Sequence, residues 1–166
     1  MVGLMTESVE ALELDKENLL YLDLPTGQVV IAMRPDVAPK HVARIKELVR
    51  EGFYDGTIFH RVIPGFMAQG GDPQGTGRGG SGQKLKAEFN RLPHLRGTVS
   101  MARSSSNDSA DSQFFIVLNR SSSLDNIYTV WGRVIKGMEF VDTIALGEPP
   151  ANPTKIVKMV VAADVE

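Results

Sequence analysis

The sequence of 166 residues predicts a mainly β domain, either a barrel or a sandwich, that also contains two helices. Three observations support this class. About eight short segments show the apolar alternation or the short apolar runs that are typical of β-strands. Turns rich in glycine, proline and aspartate separate these segments. Only two segments have helical spacing, which is too few for a sheet built from alternating strands and helices.

Two hairpins and a helix are predicted in the first half of the chain. Leucines at every second position mark a strand at 18–24, and a Pro-Thr-Gly turn joins it to a strand at 28–34. A helix follows at 38–52, where apolar residues recur at helical spacing between an early proline and a final glycine. Strands at 57–63 and 66–71 flank a Pro-Gly turn.

The second half continues with three strands, a helix and a final strand. The predicted ranges are 97–102, 113–118 and 129–135 for the strands, 137–146 for the helix and 155–164 for the final strand. Residues 1–17 precede the first strand and are predicted to form an appended arm, so that the main domain covers 18–166. A domain of this length can bury a substantial core.

Composition argues against several classes of protein. The net charge is −2 without a basic block, so nucleic acid is not an expected partner. Cysteine is absent, which excludes disulfides, a thiol nucleophile and cysteine-ligated metals. No apolar run matches a membrane span or an export signal, so a cytoplasmic location is expected. His41, His60 and His94 lack ligand spacing, and no metal is expected.

The segment GTGRGG at 75–80 matches the dinucleotide-binding pattern G-x-G-x-x-G. That pattern requires a strand directly before it and a helix directly after it, whereas here more glycine surrounds the match. Nucleotide binding is therefore not expected. Eight of the 16 glycines lie from Gly65 to Gly82. They predict either a loop of tight turns or a loop that lets a bound chain approach its backbone.

Arg61 is the residue that indicates a functional site. Strict alternation places it on the same strand face as Phe59 and Ile63, with His60 on the other face. One interpretation is a surface arginine whose stem covers apolar neighbours while its head reaches water. The other is a guanidinium directed across an apolar pocket, and spacing alone leaves both open. The pocket would combine Phe66, Met67, Phe115 and Leu124 with the neutral hydrogen-bonding groups of Gln69 and Gln113.

Four segments, at 52–80, 97–106, 111–118 and 124–142, resemble the cyclophilin family of peptidyl-prolyl cis-trans isomerases. The block FHRVIPGFMAQGGD is the most specific of the matches, and the resemblance extends from about residue 18 to 163, nearest to bacterial single-domain members. It implies a closed eight-stranded antiparallel barrel capped by two α-helices. It also implies an enzyme that accelerates rotation about X-Pro peptide bonds and assists protein folding.

The resemblance assigns roles to individual residues. Arg61 matches the family's catalytic arginine, and Gln69 matches the glutamine that helps to hold Arg61 and the substrate carbonyl. The expected substrate-binding residues are Phe66, Met67, Ala102, Arg103, Gln113, Phe115, Leu124 and Tyr128, with Arg103 acting through its backbone. Three further residues are expected to border the site, namely His60, Thr76 and Ser123. No cofactor and no metal are expected, because isomerisation breaks no bond.

Two departures from the family pattern concern ligand binding. Ser123 stands where the family often has tryptophan, and Tyr128 stands where it often has histidine. Binding of the cyclic peptide cyclosporin is therefore expected to be weak. Proline-containing peptides and unfolded client proteins are the expected partners of a monomeric chain. An alternative is a proline-peptide binding module or chaperone with little catalysis, although the retained Arg61 and Gln69 argue against it.

Overall fold

The computed structural model describes residues 15–166. Residues 1–14, most of the predicted arm, lie outside the described residues. The described part contains eight strands, two α-helices and short 3-10 turns. The elements in chain order are β1 (Leu19–Leu24), β2 (Gly27–Met33), α1 (Pro39–Arg50), β3 (Phe59–Ile63), β4 (Met67–Gly70), β5 (Thr98–Met101), β6 (Phe114–Val117), β7 (Val130–Lys136), α2 (Met138–Val141) and β8 (Lys158–Val161). The prediction of a mainly β fold with eight strands and two helices is confirmed.

All eight strands belong to one antiparallel sheet in the order β3-β4-β6-β5-β7-β2-β1-β8. Strands β3 and β8 are its edges. The segments before them are joined by an isolated bridge between Ile58 and Lys155 and by a hydrogen bond from the N–H of Gly56 to Ile156 O at 2.7 Å, but not by a continuous ladder. The sheet is therefore open and curled, and the predicted closed barrel is wrong. The stretch before Lys155 contains Pro149, Pro150 and Pro153. Proline has no N–H to donate, so this stretch cannot extend β8 into a ladder with β3.

The two helices differ in how well their ranges were predicted. Helix α1 starts at Pro39 and buries Ile45 and Leu48 against the sheet, as its pattern predicts. Helix α2 is only one turn long, far shorter than the predicted range 137–146. Beyond that turn, the backbone N–H of Ala145 donates to the hydroxyl of Thr154 at 3.0 Å instead of continuing the helix. None of the helices in residues 15–166 is long and apolar enough to cross a membrane.

Strand β6 separates two apolar clusters by its alternation. Phe114 and Ile116 point into the main core between the sheet and the helices, where Trp131 and Tyr54 are also fully buried. Phe115 and Val117 point to the opposite face and form a smaller cluster with Met67. Partly buried side chains pack around this second cluster, namely Ile63, Phe66, Ala102, Leu124 and Tyr128. The second cluster is the floor of a surface cleft.

A β-bulge in β3 decides which way Arg61 points. Phe59 pairs with Gly70, but Arg61 pairs with Gln69, so His60 is an extra residue in the ladder. As a result Phe59 lies in the main core, whereas Arg61 is exposed on the face of the smaller cluster. The prediction that Phe59 and Arg61 share a face is wrong, because an extra residue reverses the alternation and redirects the side chain. His60 is itself buried, away from that face.

Candidate active site

A cavity of about 110 Å³ opens on the face of the smaller cluster. Its walls come from β3, β4 and β6, from the end of β5, and from the 3-10 turn at Ser122–Leu124. The lining residues are Arg61, Phe66, Met67, Gln69, Ala102, Arg103, Phe115, Leu124 and Tyr128. Nine of the ten side chains predicted as catalytic or substrate-binding thus meet at one cavity, although they come from four separate segments of the chain.

The apolar floor of the cavity is the ring of Phe115, which other rings hold in place. The imidazole of His94 stacks on it with centroids 5.9 Å apart and an interplanar angle of 16°. The ring of Tyr128 meets it edge to face at 5.6 Å and 89°. Both contacts have the geometry that aromatic pairs favour. The floor is therefore supported both from behind and from the side.

The buried His94 belongs to a hydrogen-bonded chain that the sequence did not reveal. Its Nδ1 lies 2.9 Å from Asp125 Oδ1, and its Nε2 lies 2.9 Å from Ser100 Oγ. Burial lowers the pKa of His94, because it disfavours the imidazolium. The single hydroxyl proton of Ser100 is donated to the backbone oxygen of Thr129 at 3.0 Å, so the oxygen of that hydroxyl is what faces Nε2. No local motif connects these three residues, so only the fold brings them together.

The polar side of the cavity is built around Arg61. Its Nη1 donates to Gln69 Oε1 at 3.4 Å, and Gln69 in turn donates to Gln113 Oε1 at 2.9 Å. Gln113 then donates to the backbone oxygen of Gly79 at 2.9 Å. On its other side, Arg61 Nε donates to Glu148 Oε1 at 2.9 Å. The two glutamines therefore connect the guanidinium to Gly79, in the loop after β4 that contains most of the glycines between Gly65 and Gly82. This segment is called the glycine-rich loop below.

The guanidinium lies at the rim of the cavity. The Arg61 side chain is 46% exposed, so the cleft is apolar at its floor and open to solvent at its charged edge. No hydrogen bond joins Nη2 of Arg61 to any residue within 15–166. Its two N–H groups are thus available to a ligand in the cavity.

A second cavity of about 420 Å³ continues from the first. Gln69, Ala102 and Arg103 line both cavities, and Gln113 is the one predicted binding residue that lines only the second. Together the cavities make a groove longer than one residue.

Arg103 contributes its side chain as a brace for the groove. Its Nη2 and Nε donate to the backbone oxygen of Ile127 at 2.7 and 3.1 Å. Its guanidinium carbon lies 4.8 Å from the centroid of the Tyr128 ring, a cation–π distance. The side chain is therefore occupied by contacts within the protein.

The three predicted bordering residues lie outside the first cavity. His60 is buried beneath the glycine-rich loop, where a Cβ on Gly77 would approach its Nε2 to 3.5 Å. Thr76 is inside that loop and donates its backbone N–H to Asp72 at 3.0 Å. Ser123 is exposed in the 3-10 turn beside Leu124.

The glycine-rich loop is organised by the carboxylate of Asp72. This buried group accepts the backbone N–H groups of Gln74, Thr76 and Gly77 at 2.8, 3.0 and 2.6 Å. No helix follows the match to the dinucleotide pattern, so the context that such a site requires is missing in this part of the described chain. No group of three His, Cys, Asp or Glu side chains within 15–166 has the arrangement of a metal site.

Fold and cleft define a mainly β protein with a peptide-length groove that ends in an apolar pocket beside a cation. The family model described as "Cyclophilin type peptidyl-prolyl cis-trans isomerase/CLD" matches residues 20–162. The chain belongs to this family, and the predicted peptidyl-prolyl cis-trans isomerase activity is confirmed.

Three relatives illustrate the match. A probable peptidyl-prolyl cis-trans isomerase of Brucella suis biovar 1 is 48% identical over 169 residues, which covers 92% of this chain and 86% of that protein. The cyclophilin AquaCyp293 from Hirschia baltica has a TM-score of 0.85 at 32% identity and covers 96% of this chain and 81% of its own. A Cryptosporidium parvum cyclophilin, solved in the presence of the dipeptide Ala-Pro, has a TM-score of 0.81 at 30% identity, covering 86% and 98%.

Proposed function

We propose that the first cavity binds the ring of a substrate proline and that Arg61 donates a hydrogen bond to the prolyl nitrogen during rotation. The observation that carries this proposal is the position of the guanidinium, which edges the apolar cavity with its Nη2 group unbonded within the described chain. The cavity has room for a single small ring. The presence of Ala-Pro in the structure of the Cryptosporidium relative supports a proline-containing peptide as ligand.

The chemistry explains why a donor is needed. Resonance holds the prolyl amide planar, and rotation has a barrier of about 18–20 kcal/mol. In the planar forms the nitrogen lone pair is delocalised, whereas in the twisted form it is localised and accepts a hydrogen bond. A donor beside the nitrogen therefore stabilises the transition state and not the ground states, which is the condition for catalysis. Arginine suits this role because it stays protonated and offers rigidly placed donors.

The magnitude of this effect limits what Arg61 does alone. A hydrogen bond from a charged group contributes about 1.5–3 kcal/mol, which corresponds to about one to two factors of ten in rate. Further acceleration must come from transferring the amide out of water and from holding the two sides of the bond differently. The apolar floor at Phe115 supplies the first. Gln69 and the backbone near Arg103 supply the second by holding the chain that precedes the proline.

An isomerisation assay on a short X-Pro peptide tests the proposal. Wild type should accelerate cis–trans exchange, and Arg61→Ala should reduce turnover by at least about tenfold while its unfolding curve stays close to wild type. Arg91→Ala, which removes an exposed arginine outside both cavities, is the matched control and should behave as wild type.

Two outcomes would contradict the proposal. Full turnover in Arg61→Ala would remove the guanidinium from the mechanism. If wild type broadens the NMR signals of the peptide without accelerating exchange, the alternative of a binding module or chaperone with little catalysis is favoured. The expected client proteins, cytoplasmic location and monomeric state stay predictions.

A further inference from the structure

We propose that Glu148 is a positioning residue that fixes the guanidinium of Arg61, an inference that rests on the proposed role of Arg61. The two residues are 87 positions apart, and Glu148 lies in the irregular stretch between α2 and β8. Its carboxylate accepts a hydrogen bond from Arg61 Nε at 2.9 Å. The contact is made to the side of the guanidinium that a ligand in the cavity does not need.

The backbone around Glu148 is held in register with β3. Val62 donates its N–H to Gly147 O at 2.8 Å, and Gly147 donates its N–H to Val62 O at 2.9 Å. This pair of bonds makes an antiparallel bridge between the two residues. Arg61 directly precedes Val62 and Glu148 directly follows Gly147, so this antiparallel bridge brings the two residues next to each other. Glu148 is therefore placed by backbone pairing and does not depend on a chance approach of two long side chains.

Arg61 consequently has a partner on each flank. Gln69 is its paired residue on β4, and Glu148, next to the residue that bridges Val62, is its partner on the other side. The two contacts differ in quality, since Gln69 accepts at 3.4 Å, near the limit for a hydrogen bond, and Glu148 accepts at 2.9 Å with a full negative charge. Glu148 is the stronger anchor of the guanidinium plane.

This arrangement leaves the catalytic donors free. A guanidinium has five N–H groups. Glu148 takes the one on Nε and Gln69 takes one on Nη1, while the pair on Nη2 has no partner within 15–166. Holding Nε fixes the plane of the group, and the plane fixes the direction in which Nη2 donates. Small errors in such a direction reduce catalysis strongly.

The ion pair contributes little to the stability of the fold. The Arg61 and Glu148 side chains are 46% and 55% exposed, and pairs with such exposure are screened by water. Loss of Glu148 should therefore change turnover without changing the unfolding transition. That separation distinguishes a positioning role from a structural one.

The experiment compares Glu148→Ala and Glu148→Gln with wild type in the X-Pro exchange assay. Glu148→Ala should lower kcat about five- to tenfold with little change in KM, because the donor is misdirected but the pocket is intact. Glu148→Gln keeps an oxygen that accepts from Nε, so it should recover most of the lost rate. Glu51→Ala removes an exposed glutamate at the end of α1 and should match wild type.

A second measurement is independent of turnover. In ¹⁵N spectra, the Nε–H signal of Arg61 should be protected from exchange with water in wild type and in Glu148→Gln. In Glu148→Ala, it should exchange rapidly. Arg61→Ala identifies the signal by its absence.

The outcomes separate this inference from the function on which it rests. If Arg61→Ala loses turnover while Glu148→Ala keeps the wild-type kcat, the positioning role is refuted and the role of Arg61 stands. If Arg61→Ala keeps turnover, the role of Arg61 itself is refuted. If turnover rises in both Glu148 variants, the carboxylate weakens the contribution of the guanidinium to the rate, and the positioning role is also refuted.

Discussion

The imidazole of His94 stacks nearly parallel to the ring of Phe115, with centroids 5.9 Å apart. One ring is the floor of the first cavity, and the other belongs to a hydrogen-bonded chain that includes Ser100 and Asp125. The position of the cavity floor thus depends on a histidine that lies behind it and does not line the cavity.

His94→Ala should therefore affect both stability and turnover. Removal of a buried ring and its hydrogen bonds should lower the free energy of unfolding by about 2–4 kcal/mol. The Phe115 ring would lose its rear support, so kcat/KM should fall as well. His41→Ala is the matched control, since His41 is equally buried and bonded to Glu88 but lies on α1. It should lose stability and, under conditions where it is folded, keep wild-type turnover; equal losses of turnover in both variants would contradict the argument.

The stability of the protein should decrease as the pH falls below about 6.5. Burial lowers the pKa of His41, His60 and His94 in the folded state. The unfolded chain then binds more protons than the folded chain once the pH is below the ordinary histidine pKa. The stabilisation is fully present above about pH 6.5 and is lost as the pH falls through the folded-state values. Urea unfolding at pH 7.5 and 5.5 measures this, and an equal or greater free energy of unfolding at pH 5.5 would mean that the folded protein holds these histidines charged.

How far the sequence predicted the fold depended on whether the signal was local. The alternation in Leu19–Leu24 and the helical spacing in Pro39–Arg50 are properties of adjacent residues, so both elements were predicted within a residue or two. The open sheet could not be predicted in this way. It depends on the absence of a continuous ladder between the proline-rich stretch before Lys155 and β3, which lies far away in the chain. The range of α2 was overestimated because the hydroxyl of Thr154 accepts a hydrogen bond from the N–H of Ala145, which a longer helix would have used.

The site shows the same division. Its lining residues lie in segments that resemble the cyclophilin family, which is why nine of these side chains were predicted before their geometry was known. The direction of Arg61, in contrast, depends on the bulge at His60, and hydrogen-bond register is not written in a strand's own sequence. Glu148 and His94 were missed because each acts through contacts with residues far away in the chain.

Asp72→Asn should loosen the glycine-rich loop. The carboxylate uses Oδ1 for the N–H of Gln74 and Oδ2 for those of Thr76 and Gly77. An amide has only one oxygen, so its NH₂ group would face backbone N–H donors in a buried place. This unfavourable contact should lower the free energy of unfolding by about 1–3 kcal/mol. Gly79 of the same loop accepts from Gln113, so KM should also rise.

Asp108→Asn is the control for this prediction. Asp108 is exposed and accepts a single backbone N–H, from Ala87 at 2.9 Å. Because water can replace that bond, the change should leave the urea midpoint and KM close to wild type. If Asp72→Asn were equally silent, the carboxylate would not be what organises the loop.

Ser123→Trp should raise the affinity for cyclosporin. Ser123 is exposed in the turn at Ser122–Leu124, and its neighbour Leu124 lines the cavity. A tryptophan there would add a large flat apolar wall and an indole N–H donor at the rim. We expect affinity to increase at least about tenfold, since burying one such ring against a ligand readily exceeds 1.4 kcal/mol. Calorimetric titration measures this affinity.

Ser122→Trp is the matched control. In a 3-10 turn adjacent side chains point about 120° apart, so the ring at position 122 should miss the cavity and leave the affinity unchanged. An increase in both variants would indicate a nonspecific apolar effect, and an increase in neither would contradict the prediction.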